Sequence, residues 1–353
     1  MYVTGFVASL RAPLVAAARG SRLHRQRRAW LVTAGLGVLA LALFVATLTI
    51  GTYLPLVDVL ASAAGLGQNP GVDFVVHELQ MPVALTAVGA GIALGVSGTL
   101  FQRLLGNPLA SPEFVGISSG ASLAAVAGIV LFAWGGYALP AAAFAGAIAG
   151  AALIYAIAWR DGVSGYRLIL IGIGISELML ALVTYMVARA EIHDAREAMH
   201  WLVGSIGQAG TNEIRVLIVA LLLLVPAALV LSRSLRALEL GDAPAAALGV
   251  RVEAARFALI AVAVALVAVA TAAAGPMAFV ALVAGPMAQR LVGSGGGGIL
   301  AAGLVGASLV LAADLVAQRL VPIPLPTGVV TGAIGAPYLL WFLATMNRGG
   351  SAG

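Results

Sequence analysis

The chain has 353 residues, of which 61% are hydrophobic and only 9% charged, and its mean hydropathy is +1.06; an ordinary soluble domain carries about 25% charged residues, so a water-facing surface is excluded and a membrane-embedded chain is implied. All 19 basic residues are Arg, and without a Lys to reach the β and γ phosphates a standard Walker A loop is excluded as well. Cys is absent, which rules out disulfides, thiolate metal sites and Cys nucleophiles.

In chain order, the first 29 residues hold Arg11, Arg19, Arg22, Arg25, Arg27 and Arg28 and no acid, ahead of an apolar run that opens at Trp30. A cleaved signal peptide has a shorter charged start and a small-residue cleavage site; this stretch reads as a retained cytoplasmic segment lying on the anionic leaflet. Ten apolar runs follow, at 30–51, 82–105, 112–132, 137–159, 167–188, 213–232, 252–274, 277–292, 299–320 and 327–346. They are continuous and rich in Ala, Leu, Val and Gly, which favours helices over the alternating strands of a barrel. The expected organisation is a basic segment 1–29, an all-α polytopic domain of about ten transmembrane helices over 30–346, and a tail 347–353. With both termini inside, the segments predicted cytoplasmic hold 15 Arg and the external ones four, Arg189, Arg196, Arg215 and Arg319. That asymmetry sets both termini in the cytoplasm. It also accounts for a pI near 10.1 without invoking nucleic acid.

Three connections are long. Residues 52–81, predicted external, carry Asp58, Asp73, His77 and Glu78 and no Arg; residues 189–212, also external, mix both signs ahead of Trp201. Residues 233–256, predicted cytoplasmic, read as a short helix, a Gly-Asp break and an Ala-rich helix, a pattern suited to docking a partner. The run Gly295 to Gly298 reads as a flexible linker. Within the spans, GAGIALGVSG, GISSGAS and AGAIAGA read as helix-packing faces. Two acids fall well inside predicted spans, Glu177 and Asp314. A carboxylate at that depth costs at least about 2.5 kcal/mol, so each is expected to face protein or water. His24, His77, His193 and His200 are isolated and give no metal-ligand spacing.

Several stretches resemble, in order, the FecCD-type permease family of iron-chelate, haem and cobalamin importers. GNPLASPEFVGISSGAS is similar to that family's NPLA-x-P-x-x-x-G-x-S-x-GA signature, through Asn107, Pro108, Leu109, Ala110, Pro112, Gly116, Ser118, Gly120 and Ala121. WLVGSIG at 201–207, LGDAPAAALGV at 240–250, AGPMAFVALVAG, AADLVAQ and LPTGVVTGAIGAPYLLWFL continue the match, which runs collinearly from His77 to Met346. AWRDGVSGYRLILIGIGIS and the LEL-GD stretch most resemble the ferric enterobactin-type permease half of a heterodimer.

The resemblance implies a type II ABC importer permease fold in the bacterial cytoplasmic membrane, moving a ferric siderophore inward. It implies a second related permease subunit, two ATPase subunits that hold ATP and Mg, an extracytoplasmic substrate-binding protein and surrounding membrane lipid. No catalytic residue, metal site or cofactor is expected in this chain itself. The coupling loop would be 233–256, with Leu240, Gly241, Asp242, Ala245, Leu248 and Gly249 fitting a groove on an ATPase. Glu177, Ser118 and Ser119 are candidates for the translocation path or subunit interface, and Asp314, matching the family's A-D pair, for a structural role. The sequence departs from the family at R-L-P-R, where it has Gln80, Met81, Pro82 and Val83. It departs again at P-H-I-A-R, which reads Pro286, Met287, Ala288 and Gln289 with Arg290 shifted by one, and at Gln318 before Arg319. A heterodimer whose other half keeps the arginines would reconcile these changes, and Arg189, Arg196 and Arg319 remain candidates for docking the binding protein. Haem or cobalamin import is the nearest alternative. A secondary transporter relaying protons through Glu177 and Asp314 is a further one; no paired constellation such as H-E-x-x-H or G-x-S-x-G supports an intramembrane enzyme.

Overall fold

With so few charges, helix must be held to helix chiefly by shape, and small residues set how closely two backbones approach. The computed structural model describes residues 2–50, 54–67, 69–160, 165–293 and 298–349. Residues 161–164, 294–297 of the glycine run and 350–353 of the tail therefore lie outside the described residues. The basic segment and the first span form one helix, α1 (Tyr2–Thr49). The first long connection holds α2 (Leu56–Ala63) and α3 (Pro70–Phe74), and a π-helical stretch Val75–Gln80 runs directly into α4 (Met81–Leu104). After a 3-10 turn at Pro112–Val115 come α5 (Ile117–Phe132), α6 (Ala138–Ala158), α7 (Gly165–Arg189), α8 (Ile192–Val203) and α9 (Thr211–Leu238). Then follow α10 (Asp242–Ala247), α11 (Val252–Ala274), α12 (Val280–Val292), α13 (Gly298–Leu315) with a π-helical end Val316–Leu320, and α14 (Thr327–Gly349).

Among the described residues, eight helices are long and apolar enough to cross a membrane, and α5 and α12 are shorter apolar ones; together they match the ten expected runs. Two spans begin later than the sequence suggested. Pro112 opens the 3-10 turn, and α5 starts only after Gly116. Gly275 and Phe279 both have positive φ, which delays α12 to Val280.

The small-residue faces find each other. The α4 run meets α13 and α12: a Cβ added at Gly91 would overlap Gly306 and Ala307, one at Gly95 the Ala302 carbonyl, and one at Gly98 the Ala281 carbonyl. The second face, on α5, meets the third, on α6, where Gly120 lies against the Gly146 carbonyl and Gly150 against the Gly116 carbonyl. Buried polar groups add direction to this packing. Ser97 donates to the Ala263 carbonyl at 2.8 Å, and the Gln102 amide donates to the Leu282 carbonyl at 2.9 Å. The centre is thus α4, α11 and α13, which are mostly buried, whereas α1, α7 and α9 turn most of their side chains outward.

Three matched motifs converge on one backbone knot. Ser205 N–H donates to the Ala274 carbonyl at 2.8 Å and Gly328 N–H to the Gly204 carbonyl at 3.1 Å. Gly204 and Gly275 hold φ of 74° and 71°, and a Cβ on Gly275 would meet the Gly204 Cα at 2.8 Å. Only glycine satisfies both the left-handed backbone and this approach. The knot ties the end of α8, the end of α11 and the start of α14.

Candidate functional site

A helix of 28 residues places its ends about 42 Å apart, and α9 has α8 at one end and α10 at the other. The residues singled out for docking and for coupling therefore sit at opposite ends of the bundle. At the α10 end, Gly241 with φ 103° turns the chain out of α9, and six residues of helix follow. Leu240 and Leu248 are 64% and 67% exposed, whereas Ala245 is fully buried. Gly241, Asp242 and Gly249 are exposed. Of the six proposed coupling residues, five face outward, and Ala245 seats the short helix on the body of the protein. Arg256 braces the turn by bonding Asp242 and Glu253, each at 2.9 Å. A bidentate pair, Arg103 to Glu239 at 2.7 and 3.2 Å, ties α4 to the end of α9 nearby.

At the other end, Arg189 lies 5.8 Å from the Tyr185 ring centroid and Arg196 is exposed on α8. Arg319, on the π-helical end of α13, donates to Gln80 Oε1 at 3.2 Å. Gln80 closes the other π-helical stretch, so the two irregular segments are joined at the position where the resembled family has an arginine. Asp314 is 3% exposed and accepts from the Thr327 hydroxyl at 3.1 Å, at the start of α14 beside the knot.

Ser118, Ser119 and Glu177 do not form one cluster. Ser119 is buried and turned to the sulfur of Met179 at 3.7 Å, and Ser118 is half-buried. Glu177, at the middle of α7, is exposed. Around it the outward face of α7 shows Ile173, Leu178 and Tyr185, and nothing lies within 4 Å of a Cβ placed on Gly174. Sequence reasoning missed Glu113, in the 3-10 turn before α5 and outside the spanning helices. Burial pushes its carboxyl up to about 7. It also missed Gln102, buried with Oε1 unpartnered and Gly285 packed against it. Neither acid nor amide carries a sequence signal that separates it from an ordinary helix-end polar residue. Among the described residues no group of three His, Cys, Asp or Glu could hold a metal ion.

Comparison with known proteins agrees with this architecture. The model of the FecCD transport family matches residues 38–345. The achromobactin transport system permease protein CbrC of Dickeya dadantii is 41% identical over 87% of this chain and 89% of its own. The ferric enterobactin transport system permease protein FepG of Escherichia coli is likewise 41% identical, over 81% of this chain and 87% of its own. Among solved structures, an inward-facing transporter described as of metal-chelate type superposes with a TM-score of 0.77 at 28% identity, covering 90% of this chain and 99% of that one.

Proposed function

Because the chain belongs to the FecCD transport family, we propose that it is the permease subunit of an ATP-binding-cassette importer carrying a ferric siderophore inward across the bacterial cytoplasmic membrane. The observation that carries the cargo is the 41% identity, over most of both chains, to relatives named for achromobactin and for ferric enterobactin. Iron would cross inside its chelator. The chain supplies the gated path and no hydrolysis: ATP and Mg belong to two ATPase subunits that dock on the α10 end. A related second permease half completes the path, and a heterodimer fits the loss of arginines around Gln80. An extracytoplasmic binding protein delivers the cargo at the α8 end, where Arg189, Arg196 and Arg319 are available to acidic partners. Both termini lie in the cytoplasm, in keeping with the Arg asymmetry.

The reading is tested by reconstituting the chain with its copurifying subunits in proteoliposomes. Import of an iron-loaded siderophore should require ATP and the binding protein, and haem and cobalamin should not be imported. Uptake driven by a proton gradient without ATP, or uptake of haem or cobalamin instead, would overturn it.

Glu177 adds a second expectation. An ionised side chain facing lipid at mid-membrane is costly, so its exposure in the single subunit supports a place on the water-filled path or against the second half. The chain has no Cys, so a single Glu177→Cys change gives a clean probe. A membrane-impermeant maleimide should label it in the transporter, and labelling should fall at least about fivefold when ATP is bound and the path rearranges. Labelling by a lipid-soluble reagent alone would remove Glu177 from the path.

A further inference from the structure

We propose that the chain holds one anionic phospholipid in a groove between α1 and α9, its phosphate at Arg236 and an acyl chain lying along α9. This goes beyond the transport reading and rests only on membrane crossing, whichever cargo is carried. Helix α1 packs on α13 and α4, α9 packs on α4 and α11, and a continuous depression is left between α1 and α9. Its outer part is a cavity of about 310 Å³ reached by Gln26, Trp30, Arg103, Ser232 and Arg236. Its inner part is a cavity of about 400 Å³ lined by apolar side chains, among them Val96, Ile218, Leu221, Val225 and Leu304. Thr33 and Leu300 line both, so one molecule can occupy the two.

Charge and depth select the ligand. Arg103 is neutralised by Glu239, but Arg236 is exposed and makes no ion pair with any described acid. Arg27 is exposed on α1 next to Gln26 of the mouth, so the local charge is positive; Arg28 instead donates to the Leu291 carbonyl of α12. Trp30 is 72% exposed there, at the level where amphipathic rings mark the boundary between headgroups and hydrocarbon. From Arg236 to Ile218, the deepest of these residues on α9, the helix rises about 27 Å, so the slot runs most of the way across a hydrocarbon core about 30 Å thick. A basic mouth at headgroup level opening into an apolar slot long enough for a whole acyl chain fits a phosphate carrying such a chain, and basic recesses between transmembrane helices are suited to such headgroups.

Native mass spectrometry of the full-length chain, purified with the subunits that accompany it, tests the proposal. With added phosphatidylglycerol and phosphatidylcholine of the same acyl chains, the anionic lipid should be retained at one equivalent and at least about fivefold over the zwitterionic one. Arg236→Gln should abolish that preference, and Leu222→Trp, at a lining position that is mostly exposed, should displace both lipids; unchanged melting and elution would show both variants folded. Equal retention of the two lipids by the unaltered protein overturns the proposal, as does glycerol 3-phosphate competing as well as the full lipid. So does an Arg236→Gln protein that keeps its lipid but loses an ATPase subunit, because the arginine then serves a protein contact.

Discussion

Replacing Leu240 and Leu248 together by Asp should leave the chain folded in the membrane and separate it from its ATPase subunit, with transport lost. Both side chains are mostly exposed and flank the short helix α10, which the protein body anchors through the buried Ala245. Nothing in the subunit needs them where they are. Burying one Leu against a partner contributes about 1.5–3 kcal/mol, and each 1.4 kcal/mol is tenfold in affinity. Two aspartates remove that contribution and add carboxylates that the partner would have to desolvate, so affinity should fall at least about a hundredfold. Pull-down of the ATPase with the affinity-tagged chain measures this directly. Recovery of the ATPase at the unaltered ratio would show that the subunits meet elsewhere. Ala245→Arg should give the same loss by a different route, unseating the helix instead of altering its contact surface.

The second large effect concerns α4. Gly95→Leu should abolish accumulation of folded protein, because the added side chain would run into the Ala302 carbonyl of α13. The obstacle is backbone, so no rotamer change relieves it, and the two central helices must separate. Overpacking of this kind costs about 3 kcal/mol or more. Since helix association in lipid depends on close packing, little else would hold α4 in place. A fluorescence-detected elution profile of a tagged chain should show less than about a tenth of the normal monodisperse peak. Gly37→Ala on α1, where nothing lies within 4 Å of the added carbon, serves as the matched control and should be neutral or slightly stabilising. Normal elution of Gly95→Leu would mean that α4 and α13 are not locked together as described.

Much of the fold was legible because hydropathy reports depth directly. Each of the ten apolar runs became a helix, and the Gly-Asp break before Asp242 became the turn into α10. Start points were less legible. Pro112 and Met277 are apolar and so extended the predicted runs, whereas local backbone geometry at Gly116, Gly275 and Phe279 delays the helices. Pairing was not legible at all: three small-residue faces announce close packing, but nothing in their composition says that Gly95 meets α13 and Gly120 meets α6. The same limit applies to the site. Asp242 and its neighbours are proposed from local pattern, yet the burial of Ala245, the outward position of Glu177 and the joining of Gln80 to Arg319 depend on residues far away in sequence. The groove between α1 and α9 is a gap, and a gap leaves no residue signature.

Because α8, α11 and α14 are pinned by hydrogen bonds between their backbones at one end, force applied at α10, where we propose that an ATPase docks, would act on a lever whose fulcrum is already built. A tilt of 10° about that knot would swing the far end of α9 through about 7 Å, from its length of about 42 Å, while leaving the pinned end nearly still. Motion would thus be largest beside Asp242 and smallest beside Gly204, so that one membrane face gapes while the opposite face pivots.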